Sequence, residues 1–100
     1  MLDKHIVIVT IHTPKFALGQ LVATPNVINS IPNDEILVAL GRHSNGDWGE
    51  MDADDKAANE RALQGGERLF SSYYSKEKVK FWIITEADRS ATTVLLPDDY

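Results

Sequence analysis

The fold is decided by residues 79–85, which read VKFWIIT. Side chains along a strand alternate between its two faces. Large apolar groups lie on both faces of this run, with Phe81 and Ile83 on one side and Trp82 on the other. Apolar groups on both faces indicate a strand in the interior of a sheet.

Strands on either side of this one complete a predicted meander. Residues 67–74 alternate in part, and the polar residues 75–77 make a turn of hairpin length. After a second turn at residues 87–90, residues 91–96 return as another strand. Pro97 ends that strand, because proline has no amide hydrogen for a ladder. We therefore expect three consecutive antiparallel strands.

Two further strands are predicted near the N-terminus. Residues 4–12, KHIVIVTIH, are β-branched and apolar with polar ends, and Pro14 follows the run. Residues 17–24, ALGQLVAT, fit a second strand, with a helix as the open alternative. Pro25 then signals a turn, and residues 27–31 fit one short helical turn.

End signals predict a helix in the middle of the chain. Asn33 can cap a helix whose first turn carries Asp34 and Glu35, where negative charge complements the exposed amides. The helix ends near Ser44, since the Asn-Gly pair that follows suits a left-handed backbone. Its predicted inner face holds Ile36, Leu37, Leu40 and His43.

A second helix is predicted to begin at Asp52, because Asp55 three residues later resembles the acid of a capping box. It runs to about Gln64, where Gly65 and Gly66 stop it. The residues expected on its inner face are Ala58, Ala62 and Leu63. Together with the meander, these helices predict an α+β fold with helices packed on one face of an antiparallel sheet. One domain is expected over residues 1–100.

The composition fits one soluble globular domain. The chain has 100 residues, of which 43% are hydrophobic and 25% charged, close to the globular average. The absence of cysteine excludes disulfides, thiolate catalysis and cysteine zinc sites. The longest apolar run, residues 6–9, is far too short to span a bilayer and has no signal-cleavage site after it. We therefore expect a cytoplasmic protein with no membrane contact.

The negative charge is concentrated in one segment. The net charge is -5, and residues 47–60 hold six acids and one base. The other 86 residues hold nine acids and nine bases. Nucleic-acid binding draws most of its affinity from clustered Lys and Arg, and the sequence has no such cluster. We expect another protein as the partner rather than a nucleic acid.

Three stretches carry a resemblance to a known family: LGQLVATP at residues 18–25, GDWGE at residues 46–50 and FWIITEADRSATTVLLP at residues 81–97. From residue 16 to residue 100 the chain resembles a family of small uncharacterised bacterial proteins found with plasmids and other mobile elements. Some members carry a name that suggests a type I restriction modification subunit. This chain has neither a cofactor-binding glycine loop nor an Asn/Asp-Pro-Pro-Tyr/Phe motif. The resemblance implies a bacterial mobile-element setting and no established activity.

The acidic segment supplies the first group of candidate interaction residues. Hard cations bind carboxylate oxygens, but the spacing lacks the glycine and the glutamate of an EF-hand loop. We expect no metal or other cofactor. Trp48 lies between glycines, where it either fills the edge of the core or projects as a recognition anchor. The group comprises Asp47, Trp48, Glu50, Asp52, Asp54 and Asp55.

The turn after the central strand supplies a second group, Glu86, Asp88 and Arg89. Charged residues at a hairpin tip usually form a solvated turn that serves the structure. In the functional alternatives, Glu86 and Arg89 pair to hold the turn, or Arg89 offers a bidentate contact to an anion.

Two function classes fit these residues. The first is a non-catalytic protein-interaction module with one acidic face. Tyr73, Tyr74 and Tyr100 are then further candidate anchors, and the open edges of a meander favour a homodimer. The alternative is a small ribonuclease-like enzyme, which needs a Glu base, a cation for the phosphate and a His acid. For these roles the chain offers Glu50 or Glu67, Arg68 or Arg89, and His43.

Overall fold

Over residues 14–100 the fold is α+β, built from one sheet and three helices. A computed structural model describes residues 14–100, so the strand predicted over residues 4–12 lies outside the described residues. None of the described helices is long and apolar enough to cross a membrane. The elements are β1 Gln20–Ala23, α1 Pro25–Ser30, α2 Asn33–Ser44, α3 Ala53–Gly65, β2 Leu69–Tyr74, β3 Lys80–Thr85, β4 Ala91–Leu95 and a 3-10 turn at Pro97–Asp99.

The C-terminal meander is confirmed. β2 pairs antiparallel with β3, and β3 pairs antiparallel with β4. The register places Ser72 opposite Trp82 and Ile83 opposite Val94. β3 therefore has a neighbour on each side, as its two apolar faces predicted.

β1 makes the sheet mixed, so the prediction of a wholly antiparallel sheet was wrong. The strand order is β1-β4-β3-β2, and β1 pairs parallel with β4. A parallel pair needs a long crossover rather than a hairpin. The segment between β1 and β4 supplies one, because it contains all three helices and the other two strands. Of the two alternatives for residues 17–24, the structure has the strand, over Gln20–Ala23.

α1 raises the number of helices to three, where the sequence predicted two and a single turn at residues 27–31. Thr24 caps α1, since its hydroxyl oxygen accepts a hydrogen bond from the Val27 amide at 3.2 Å. Pro25 occupies the first turn, where the helix needs no amide donor. α2 begins at Asn33, although Asn33 is its first helical residue and not the predicted cap.

α3 begins and ends where the sequence predicts. The Asp55 amide donates to Asp52 Oδ1 at 2.8 Å, which is the predicted cap. Gly66 follows the helix with a left-handed φ of 72°. Because a glycine adopts this conformation at little cost, Gly66 ends α3 as expected.

The predicted inner faces of the two long helices are partly wrong. Leu37 is 67% exposed, because Ile36 and Leu40 of α2 are the residues that turn toward the sheet. In α3, Ala58 is exposed and the neighbouring Asn59 is buried in its place. The inner face of α3 therefore contains a polar residue, Asn59, instead of the predicted Ala58.

The core lies between the helices and one face of the sheet. Its main cluster joins α1 and α2 to the sheet through Val27, Ile31, Ile36, Ala39, Leu40, Tyr73, Phe81, Ile83 and Val94. A second cluster comprises Phe16, Trp48, Ala62 and Leu69. Gly49 forms a bridge to Ser72 of β2, the edge strand. The loop between α2 and α3 therefore lies along the outer edge of β2.

Candidate functional site

The acidic candidates lie together in the loop before α3 and in the first turn of that helix. All five carboxylate side chains are exposed. We call this group the acidic surface; it comprises Asp47, Glu50, Asp52, Asp54 and Asp55.

The backbone under the acidic surface is fixed to the sheet. The Glu50 amide donates to the Ser72 carbonyl at 2.7 Å, and the Ser72 amide donates to the Trp48 carbonyl at 3.1 Å. Gly49 between them has a φ of 79°, and a Cβ at this position would overlap the Ser72 carbonyl oxygen. Only glycine fits so close to the strand, and the two main-chain hydrogen bonds to Ser72 hold the loop against β2.

Trp48 fills the core and does not project from the acidic surface. Its side chain is 3% exposed. The ring stacks on Phe16 at a centroid distance of 6.3 Å and meets the edge of His43 at 5.7 Å. The indole N–H donates to Glu60 Oε1 at 3.1 Å. Of the two predictions for this residue, the structure has the core position.

Within the described residues, Asp47 is the one member of the acidic surface that forms an ion pair with a basic side chain. Arg42 Nε and Nη2 donate to its two carboxylate oxygens at 2.7 and 3.2 Å. These hydrogen bonds hold the pKa of Asp47 below its ordinary value. Within residues 14–100 the only other ion pair is Arg68–Glu86. In the described part of the chain the negative charges of Glu50, Asp54 and Asp55 therefore face solvent without an ion-pair partner.

The second candidate group lies at the other end of α3 and serves the structure. Arg89 donates to four main-chain carbonyls, those of Ala62, Glu67, Glu86 and Ala87, at 2.6 to 3.3 Å. Its guanidinium thus ties the β3–β4 turn to the end of α3. Because α3 has 13 residues, the turn and the acidic surface are separated by roughly 20 Å of helix.

Within the β3–β4 turn, Arg89 is paired with Glu86 through the main chain, since Arg89 Nη1 donates to the Glu86 carbonyl at 3.2 Å. The Glu86 carboxylate lies 3.8 Å from Arg68 Nε, so its ion-pair partner is Arg68 and not Arg89. The Arg89 guanidinium is already engaged by carbonyl oxygens. Asp88 accepts a hydrogen bond from the Ser90 amide at 3.0 Å and so stabilises the turn itself.

His43 belongs to a buried chain of hydrogen bonds that runs from Ser71 through its ring to Thr85, Thr92 and the Leu18 carbonyl. The Thr92 hydroxyl donates to the Leu18 carbonyl at 2.7 Å, so it accepts from the Thr85 hydroxyl at 2.7 Å. Thr85 in turn accepts from His43 Nε2 at 2.8 Å, which leaves Nδ1 to accept from the Ser71 hydroxyl at 2.6 Å. Both ring nitrogens are therefore satisfied with a neutral imidazole. Burial, assisted by the positive charge of Arg89, lowers the pKa of His43 to about 4.

Of the residues proposed for a ribonuclease, Arg89 and Glu67 are in contact, since Arg89 Nη1 donates to the Glu67 main-chain carbonyl at 2.6 Å, but the proposed acid, His43, is not accessible. His43 has no exposed surface, so it cannot reach an RNA substrate. Arg68 donates to the Tyr100 hydroxyl at 3.2 Å, and Tyr100 packs against Trp82, whose side chain lies on the sheet face opposite the core. Glu50 lies at the edge of β2. Within residues 14–100 no three His, Asp or Glu side chains are placed to hold a metal ion.

A groove next to the acidic surface was not foreseen from the sequence. It has a volume of about 290 Å³ and lies between α2 and the end of β2. Val38 and Tyr74, which are 65% and 53% exposed, line it together with the buried Phe81. Arg42 also lines it, and through its ion pair with Asp47 the groove adjoins the acidic surface.

The tyrosines predicted as anchors differ in their burial. Tyr73 is 1% exposed and belongs to the core, whereas Tyr74 and Tyr100 are exposed. Tyr73 and Tyr74 both line the groove, whereas Tyr100 does not. The sequence signal for the groove was Val38, an apolar residue of α2 that lies outside the predicted inner face of that helix.

Comparisons with protein-family models, curated proteins and solved structures give no match to this chain. The resemblance to plasmid-associated proteins stays a prediction. Function is therefore inferred from the geometry of the acidic surface and the groove.

Proposed function

We propose that this protein is a non-catalytic interaction module that binds a protein partner through the acidic surface. The observation that carries the proposal is the set of carboxylates at Glu50, Asp54 and Asp55, which are exposed and make no ion pair within the described residues. Complementary charge on a partner accelerates encounter and fixes its orientation. A partner with a basic surface is expected.

The rigid backbone supports this proposal. Main-chain hydrogen bonds to Ser72 hold the loop that carries Glu50, and the Asp52 cap fixes the first turn of α3. A surface that is already ordered loses little conformational entropy on binding. The carboxylates are thus positioned before a partner arrives.

The adjoining groove supplies the apolar part of the proposed interface. Interfaces combine a charged rim with apolar pockets that take an anchor side chain. The groove offers such a pocket, lined by Val38, Tyr74 and Phe81. It is next to the acidic surface, because Arg42 of the groove forms an ion pair with Asp47. We expect the partner to place an apolar side chain in the groove and basic side chains against Glu50, Asp54 and Asp55.

The test is an affinity pull-down from lysate of the native cell with three forms of the full chain. The wild type is compared with Asp54→Asn/Asp55→Asn and with a control, Glu67→Gln/Asp98→Asn, which removes two exposed acids outside the acidic surface. We expect one protein to be enriched by the wild type and the control, to be lost in the first variant and to be released by salt. Equal retention by all three forms would contradict the proposal.

Within residues 14–100 no observation favours the enzyme alternative, because the proposed acid His43 is buried and Arg68 is bonded to Tyr100. Bound RNA with fresh cleavage ends in the same pull-down would revive it. The resemblance to plasmid-associated proteins adds the proposal that the interaction takes place in the bacterial cytoplasm and in the setting of a mobile element.

A further inference from the structure

The two edges of the sheet differ in whether their outward main-chain groups are hydrogen-bonded. At the β2 edge, the Phe70 amide donates to Asn59 Oδ1 at 3.0 Å, and Asn59 Nδ2 donates to the Phe70 carbonyl at 2.6 Å. The amide side chain of Asn59 thus takes the place of a neighbouring strand. Two residues further along β2, the loop before α3 binds Ser72 in the same way. The outward main-chain groups of Phe70 and Ser72 are therefore satisfied.

The β1 edge has no such cover within residues 14–100. The Gln20 amide donates to the Ser90 carbonyl at 3.0 Å, and the Thr24 amide donates to the Val94 carbonyl at 3.1 Å. In a parallel pair, alternate residues direct their main-chain groups to the neighbour. Those of Leu21 and Ala23 therefore point away from β4. No described strand lies on that side of β1.

β1 has none of the side chains that usually prevent an edge strand from pairing with another chain. Leu21 is 55% exposed and Val22 is 42% exposed. Residues 16–24 contain no charged residue and no proline. Natural edge strands are commonly blocked by a lysine, a proline or a bulge, because an open apolar edge pairs with another chain. β1 is therefore suited to strand addition.

The spacing of the outward groups makes β1 complementary to itself. A two-fold axis through Val22 places Leu21 opposite Ala23 of a second copy, and Ala23 opposite Leu21. Residues directly opposite each other in an antiparallel ladder exchange both of their hydrogen bonds. The main-chain N–H and C=O groups of Leu21 and Ala23 in the two copies would then form four hydrogen bonds. This pairing needs no charged side chain on either copy.

The distribution of charge favours the same edge. A chain with a net charge of -5 repels its own copies, but the acidic surface lies along the opposite edge of the sheet. Two strands, β4 and β3, separate β1 from β2. At about 4.8 Å per strand spacing, the two edges are roughly 14 Å apart. Contact through β1 keeps the acidic surfaces of two copies far from each other.

We propose that β1 pairs antiparallel with β1 of a second copy, so that the four-stranded sheets of two chains form one continuous sheet. The acidic surfaces then lie at the two ends of that sheet. The dimer rests on the β1 edge alone and does not depend on the proposed function. If both proposals hold, the dimer offers two acidic surfaces to a partner, which raises its apparent affinity for a partner with two sites.

The test is the molar mass of the full chain in solution, measured by sedimentation equilibrium from 5 to 200 µM. We expect the mass to approach twice the 11.1 kDa of one chain. Val22→Lys places like charges opposite each other at the two-fold axis and is expected to weaken the dimer several-fold. Leu37→Lys is the matched control, because Leu37 is 67% exposed on α2 and does not belong to β1; its mass is expected to match that of the wild type.

Hydrogen exchange gives a second measurement that does not depend on a variant. The Leu21 and Ala23 amides are expected to become more protected as protein concentration rises through the dimer range. A wild type that stays monomeric at 200 µM overturns the proposal, and so does a Val22→Lys variant that dimerises as tightly as the wild type. Protection of both amides in a monomer also overturns it, because another segment of the same chain would then cover the edge.

Discussion

Lowering the pH from 7 to 4 is expected to destabilise the fold through His43. The ring is fully buried, and both of its nitrogens are hydrogen-bonded, to Ser71 and Thr85. Burial, with a smaller contribution from the positive charge of Arg89, lowers its pKa from 6.5 to about 4. The unfolded chain therefore binds a proton at a higher pH than the folded chain. The stability that His43 contributes is complete above pH 6.5 and is lost as the pH falls toward 4.

The size of this loss follows from the two pKa values. At about 1.4 kcal/mol per pH unit, the change from 6.5 to about 4 corresponds to roughly 3 kcal/mol of unfolding free energy. The assay is urea unfolding between pH 4 and pH 7.5, with His43→Gln as the non-titrating comparison. His5 and His12 are present in both proteins, so their contribution cancels. Parallel stability profiles for the wild type and His43→Gln over this range would show that protonation of His43 does not destabilise the fold.

Three further substitutions test the packing around β2 and α2 by urea unfolding. Gly49→Ala is expected to lower the unfolding free energy by more than about 2 kcal/mol, because its Cβ overlaps the Ser72 carbonyl at a positive φ; an unchanged midpoint would contradict this. Gly41→Ala is the control, since nothing lies within 4 Å of an added Cβ, and it is expected to stabilise α2 by about 0.5 to 1 kcal/mol. Asn59→Ala leaves the outward groups of Phe70 unpaired and is expected to cost about 2 kcal/mol; a cost near zero would show that water replaces the amide.

The parts of the fold that local signals control could be predicted from the sequence. The alternation of residues 79–85 placed β3 inside the sheet. Asp52 and Gly66 marked the ends of α3, because a cap and a left-handed glycine act within one turn of the helix. The start of α2 was predicted to within one residue, although Asn33, the predicted cap, is the first helical residue and makes no capping hydrogen bond.

The parallel pairing of β1 with β4 could not be predicted in this way. It joins residues about 70 positions apart, such as Leu21 and Thr92, and no local pattern records which edge a strand will join. The burial of Asn59 also depends on a residue that is distant in sequence. Its side-chain amide is buried because it forms two hydrogen bonds with the main chain of Phe70 at the edge of β2.

The candidate site was predicted in part. The exposed acids were visible as a local excess of charge, and the structure leaves Glu50, Asp54 and Asp55 exposed. The roles of Trp48 and Arg89 depend on neighbours that are distant in sequence, namely Phe16 and the end of α3. Their place in the structure therefore became evident only from the contacts.

The most direct test of the interaction proposal is a hydrogen-exchange footprint of the full chain with the protein captured in the pull-down. If the acidic surface and the groove bind the partner, we expect slower exchange at residues 50–55 and in the segments that line the groove, residues 34–42 and 73–76. We also expect the footprint to be lost with Asp54→Asn/Asp55→Asn. Protection confined to the β3–β4 turn at residues 86–90, with no change at residues 50–55, would contradict the interaction proposal.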